Sequence, residues 1–283
     1  MSSNFIVRVK IVLTDSQKKL LSSGWGQEVY KNSVVEKITY LSDGLKINGY
    51  LAYPKDTSKI YPCIIWNRGG YGENGAIDSF NASGLYGNIA NEGYVVFASN
   101  YRGNMGSEGM DELGGKDIND VLNLIPLADE LEFADTSKWG MEGWSRGGMM
   151  TFIALTKSKI KFKAVMIVGG VSNLHCSDKN SPYLKLVSEK IFPGLPVEKF
   201  KDECDKRSVT SFVDKLSKET NYLLLHGTKD ESVDPIDSIN LAAQFQKENL
   251  NYRLVMFEEG DHFLRKFRKD VNQLRSEWLK KYL

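Results

Sequence analysis

A chain of 283 residues, 41% of them hydrophobic and 26% charged, can bury a sizeable core, which excludes disorder as its dominant state. Lys plus Arg number 37 against 36 for Asp plus Glu, a formal charge of +1 with no long run of either sign, so charge points to no nucleic-acid or acidic partner. No apolar segment approaches the roughly 18 residues of a membrane span, and Arg8 and Lys10 interrupt the first apolar stretch, unlike an export signal, so the chain reads as soluble and cytoplasmic.

In chain order, Phe5, Val7, Val9, Ile11 and Leu13 alternate like a strand, followed by a short helix around Leu20, in an N-terminal extension over residues 1–33. Val34 to Leu41 and Leu45 to Tyr53 flank Ser42-Asp43-Gly44, a turn sequence that predicts an antiparallel hairpin. Short apolar strands are predicted at Cys63 to Asn67, Tyr94 to Ser99, Trp139 to Gly143, Ala164 to Val168, Tyr222 to His226 and Tyr252 to Phe257. Between them, Asp117 to Leu131 has helical spacing that Pro126 should bend or divide. Pro235 to Leu250 opens on a helix-start signal, and Arg265 to Leu283 closes the chain as a basic amphipathic helix. The alternation predicts an α/β fold: a mostly parallel central sheet of about eight strands with helices on both faces, in a single domain spanning residues 1–283. Residues 172–220 break the rhythm as a long insertion after a strand end, where such segments cover pockets.

The chemistry concentrates in Trp139-Gly140-Met141-Glu142-Gly143-Trp144-Ser145-Arg146-Gly147-Gly148, which sets Gly-x-Ser-x-Gly between a strand and an apolar helix. Glycines at both flanks allow the sharp turn that lifts a serine hydroxyl above a sheet, and the next N–H, that of Arg146, points at a developing oxyanion. A nucleophilic serine needs a base, and the histidines are His175, His226 and His262. His262 follows the last strand, where the base is expected. His226 ends a strand and reads as a packing or hydrogen-bonding residue, and His175 beside Cys176 lacks further metal ligands at suitable spacing. Asp230, in a loop directly after a strand, is the preferred acid. Glu231 and Asp234 compete, with loop solvation and capping of the Pro235 helix as their bland reading. Ser145, Asp230, His262 is the chain order of α/β-hydrolases. The glycines of Arg68-Gly69-Gly70-Tyr71 follow the third strand where a second oxyanion donor is needed, and Gly70 is the candidate. The three cysteines are widely spaced and odd in number, so neither a disulfide framework nor a zinc site is expected.

Four motifs resemble the catalytic domain of the prolyl oligopeptidase family, particularly its acylaminoacyl-peptidase-like branch. They are the hairpin Asp43 to Leu51, the loop Asn100-Tyr101-Arg102-Gly103-Asn104-Met105-Gly106, the elbow Gly143 to Gly148 and the segment His226 to Pro235. The resemblance runs from about Val34 to the C-terminus. It implies a serine hydrolase acting through an acyl-enzyme on short peptide amides or carboxylic esters, with no cofactor and no metal. A stand-alone carboxylesterase and a catalytically silent binding scaffold are the alternatives. The partner is then a small-molecule or short-peptide substrate, with homo-oligomerisation left open. Tyr71, Trp144, Tyr183 and Phe192 are candidate substrate-binding residues. The chain departs from the family at Arg68-Gly69-Gly70-Tyr71, where the usual sequence is His-Gly-Gly-Pro, and the residues before Val34 are too few for the family's β-propeller.

Overall fold

The computed structural model describes residues 4–174 and 182–283, the side chains of 182–184 and 188 excepted. Its strands are β1 (Phe5–Lys10), β2 (Ser33–Ser42), β3 (Leu45–Pro54), β4 (Tyr61–Asn67), β5 (Val95–Ser99), β6 (Ala134–Trp144), β7 (Phe162–Val168), β8 (Asn221–Gly227) and β9 (Asn251–Phe257). They form one nine-stranded sheet in the order β1-β2-β3-β5-β4-β6-β7-β8-β9. β1, β2, β3 and β5 pair antiparallel, whereas β4/β5, β7/β8 and β8/β9 are parallel. The sheet is one strand wider than the sequence reading because residues 5–10 join it along β2. The chain divides into two compact units, one of Met1–Arg68, Gly72–Asp111 and Lys116–Gly140, the other of Gly69–Tyr71, Glu112–Gly115 and Met141–Leu283. Among the described residues no helix is long and apolar enough to cross a membrane.

In the first unit the β2/β3 hairpin closes through Asp43 and Gly44, whose φ values of 51° and 80° are those a tight primed turn demands. The N-terminal segment adds helix α1 (Asp15–Trp25), started by a capping box between Thr14 and Gln17, and α2 (Glu28–Asn32). Helix α3 (Ser79–Asn91) has no counterpart in the sequence reading, since its Gly84 and Gly87 lower helix propensity. Those glycines let neighbours in: a Cβ on Gly84 would stand 2.8 Å from the Trp25 ring, and one on Gly87 3.0 Å from Val29. Pro126 divides its segment as expected, into α4 (Ile118–Leu122) and a 3-10 helix over Ile125–Glu130.

The loop after β5 is held by charge. Arg102 makes a bidentate contact with the buried Asp120, with N–O distances of 2.8 to 3.3 Å, and also reaches Asp43 in the hairpin turn at 2.8 Å. Asp120 has no solvent-exposed side-chain surface, so Arg102→Ala leaves a carboxylate stranded in the interior. Denaturant titration should find the variant less stable by about 3–5 kcal/mol; a loss under about 1 kcal/mol would mean that Asp120 finds another partner.

In the second unit β7 and β8 are almost continuously buried, the mark of strands covered on both faces. Helices α5 (Arg146–Lys157), α8 (Pro235–Lys247) and α9 (Arg268–Tyr282) belong to it. The insertion supplies α6 (Pro182–Ile191), α7 (Val197–Asp205) and two 3-10 turns, Val209–Ser211 and Val213–Lys215. Terminal helix α9 is fastened to β6 by Arg275, which grips Glu142 through two hydrogen bonds of 2.7 and 2.9 Å, both side chains being buried.

Candidate active site

The junction between β6 and α5 is the single residue Ser145, at φ 54° and ψ −122°, a conformation that costs a non-glycine residue energy and persists only where surrounding structure imposes it. Several contacts impose it. The Ser145 N–H donates to Val168 O at 2.9 Å, while Ser145 O accepts from Gly148 and Val171 at 2.9 and 3.2 Å. Glycine is required beside it: a Cβ on Gly143 would lie 2.2 Å from Gly147 O and 2.5 Å from Thr151 Oγ1. Gly143→Ala should therefore misplace the turn and remove activity in step with a lowered melting temperature; a fully active, equally stable variant would show that the turn relaxes freely. Arg146 follows as the first residue of α5, and its backbone N–H is among those a helix leaves without an internal acceptor.

Asp230 and His262 meet. His262 Nδ1 lies 2.7 Å from Asp230 Oδ2, with the Asp230 side chain wholly buried and that of His262 14% exposed. Oδ1 of Asp230 accepts the backbone N–H groups of Ser232 and Val233 at 2.8 and 2.9 Å. Burial pushes the Asp230 carboxyl up, but hydrogen bonds from His226 and His262, the charge of His262 and the Val233 N–H outweigh it, so the group is held well below the usual carboxylate range. Of its sequence competitors, Asp234 caps α8 by accepting from Ile236 N at 3.0 Å, and Glu231 is exposed.

Gly169, at the end of β7, borders this pair: a Cβ there would lie 3.2 Å from Asp230 Oδ2 and 3.3 Å from His262 Nδ1. Its neighbour Val168 accepts the Ser145 N–H, so the serine turn and the acid–histidine pair converge at one strand end. On the other side of the serine, a Cβ on Gly69 would lie 3.1 Å from Ser145 Cβ and 3.7 Å from its Oγ. Gly70 follows at φ 73°, with its carbonyl held by the Arg146 guanidinium at 3.0 Å. In the first unit Arg68 replaces the family histidine with a different device. Its guanidinium donates to Gly72 O and Asn100 O, each at 3.0 Å, and lies 5.1 Å from the centre of the Tyr101 ring.

The remaining candidates are more scattered. Tyr71 is half-buried, as is Trp144, whose indole N–H donates to Glu142 Oε1 at 2.9 Å and so joins the network that holds α9. Phe192 packs edge-on to Phe200 and under the Arg207 guanidinium, 4.5 Å from the ring centre. Arg207 in turn donates to Leu113 O at 2.7 Å. The side chain of Tyr183, together with His175 and Cys176, lies outside the described residues.

Comparison with known proteins decides the family. The prolyl oligopeptidase family profile matches residues 81–283. The chain belongs to the prolyl oligopeptidase family. It is a serine hydrolase of that family's peptidase type, and its fold is the α/β-hydrolase fold. A relative in Bacillus subtilis (strain 168), "Uncharacterized peptidase YtmA", is 27% identical over 245 residues, covering 86% of this chain and 92% of its own length. The prolyl endopeptidase FAP of Mus musculus is 26% identical over 213 residues, covering 73% of this chain but 27% of the relative. Of solved structures, an acylaminoacyl peptidase from Pyrococcus horikoshii superposes with a TM-score of 0.77 at 23% identity, over 96% of this chain and 44% of its own. The Pyrococcus furiosus esterase Pf2001 superposes with a TM-score of 0.66 at 16% identity, over 98% and 97%. The chain thus spans roughly a quarter of the large mammalian prolyl oligopeptidase family relatives and nearly all of the bacterial one.

Proposed function

We propose that this chain hydrolyses short peptide amides through an acyl-enzyme formed on Ser145, with His262 as base and then acid and Asp230 as the group that orients it. The observation that carries this reading is the 2.7 Å Asp230–His262 hydrogen bond at the strand end that also holds the strained Ser145. Ser145 Oγ attacks the scissile carbonyl carbon and gives its proton to His262 Nε2. The carbonyl electron pair becomes an oxyanion, received by the N–H groups of Gly70 and Arg146. Collapse breaks the bond to the leaving amine, which takes the proton from His262, and water repeats the sequence to release the acid and restore the serine.

Carboxylic esters are the second reading, because the same groups cleave an ester, whose leaving group needs less help from the acid. Tyr71, Trp144, Tyr183, Phe192 and the insertion over 172–220 are assigned to substrate binding on their sequence positions. A cytoplasmic location suits the free, buried thiol of Cys63. A fluorophosphonate probe tests the core of the proposal: stoichiometric labelling of Ser145 is expected, and a native protein that stays unlabelled would be the silent scaffold instead. Dipeptide and aminoacyl anilides set beside p-nitrophenyl esters then decide between amide and ester.

A further inference from the structure

Asp230 Oδ2 serves a second histidine as well as the first. Nε2 of His226, at the end of β8, lies 3.1 Å from that oxygen, and His226 has no exposed surface. The same nitrogen lies 3.1 Å from Val233 O, so it faces two acceptors and must carry a hydrogen. On the other edge of the ring, Nδ1 is 2.6 Å from Ser238 Oγ on α8, whose hydroxyl donates to it in the neutral imidazole. Ser238 thereby keeps the hydrogen on Nε2, where it is divided between Val233 O and the carboxylate oxygen that His262 also contacts.

We infer that His226 is a positioning residue for hydrolysis: by sharing Asp230 Oδ2 with His262 it sets the orientation of the carboxylate and how much negative charge His262 faces. The inference rests on the triad reading above. With N–H donors on both of its oxygens, the carboxylate has no freedom to rotate away from His262. The second donor on Oδ2 also draws charge from the oxygen that His262 uses. Asp230 is then too weak a base to take the His262 proton, and the imidazolium formed during attack is held without being trapped. Remove the His226 N–H and the charge concentrates on the His262 contact, so the imidazolium is more stable and the neutral, active form of His262 appears only at higher pH.

The titratable groups facing His226 are Asp230 from the loop after β8 and Asp237 from α8, with His262 across the shared oxygen. Burial, with Asp234 nearby, pushes the Asp237 carboxyl up to about 6, and His226 pulls it back, so Asp237 needs its own control.

The test is the pH dependence of kcat/KM and kcat on a p-nitrophenyl ester for His226→Phe, His226→Gln, Ser238→Ala and Asp237→Asn. In His226→Phe the acid limb should move up by about one pH unit, with kcat down roughly 10-fold at neutral pH and KM little changed. His226→Gln, whose amide N–H replaces the lost donor, should return the limb toward the parent position. Ser238→Ala should move it in the same direction by less, and decides the matter alone if His226→Phe does not fold. A parental limb in folded His226→Phe, or in Ser238→Ala where the former is unfolded, overturns the inference; so does an equal shift in Asp237→Asn. Ser145→Ala separates the two levels: activity surviving there sinks the triad reading itself, whereas an inactive Ser145→Ala beside an unmoved limb sinks only the role of His226.

Discussion

Ser145→Ala is expected to lower hydrolysis by about 10⁴-fold or more with little change in melting temperature. The activity falls because the acyl bond has no oxygen on which to form, while the remaining groups still bind substrate and polarise its carbonyl. The fold persists because the contacts that impose φ 54° are backbone ones, to Val168, Gly148 and Val171, and alanine keeps all of them. Alanine is also as strained there as serine, so no stability is gained by relaxation. Initial rates on an ester, together with loss of fluorophosphonate labelling, measure the effect. Retention of a tenth of the parent rate would show that another group is the nucleophile.

Asp230→Asn should cost about 10⁴-fold in kcat and, unlike the serine variant, stability as well. The native carboxylate accepts from Ser232 and Val233 at Oδ1 and from His262 at Oδ2, with His226 Nε2 3.1 Å from that same oxygen and sharing its hydrogen with Val233 O. An amide has an acceptor at one end and an NH2 at the other, so one pair of donors always meets a donor. With the NH2 toward the histidines, His262 Nδ1 becomes the acceptor, its hydrogen moves to Nε2, and the ring can no longer take the serine proton. With the NH2 toward the loop, two backbone N–H groups lose their acceptor, at roughly 1–3 kcal/mol each. The pH dependence of stability adds a check. Asp230 is held below the usual carboxylate range, so its contribution is complete above the unfolded-chain value near about 4 and is lost as pH falls through the lower folded value. The stability gap between parent and Asp230→Asn should therefore narrow on acidification below about pH 4. A gap that widens there would mean that the carboxylate is not stabilised in the folded state.

Much of the site was legible because its signals are local. The Asp43-Gly44 turn, the Pro126 break, the cap at Asp234 and the strained Ser145 between glycines are each dictated by which φ values or hydrogen bonds a few consecutive residues can adopt. The order Ser145, Asp230, His262, each near a strand end, was equally readable, because strands announce themselves as short apolar runs. Residues whose meaning depends on a distant partner were not readable. Helix α3 is glycine-weakened by propensity and exists because Trp25 and Val29 fill the space its glycines leave. Arg68 departs from the family pattern, and only its guanidinium's distant acceptors, the carbonyls of Gly72 and Asn100, give it a role. Trp144, a candidate pocket residue by its place beside the serine, spends its N–H on Glu142, which Arg275 holds from the far end of the chain.

The sequence by itself thus determined the fold class, the strained serine turn and the candidate acid and base, since backbone sterics and hydrophobic periodicity act over a few residues. Only the tertiary structure decided that His226 and His262 share one oxygen of Asp230, that Arg146 fastens the Gly70 carbonyl and that Arg275 anchors Glu142. Hydrogen bonds between groups so far apart in the chain depend on ångström-scale placement, which no pattern of residue types records.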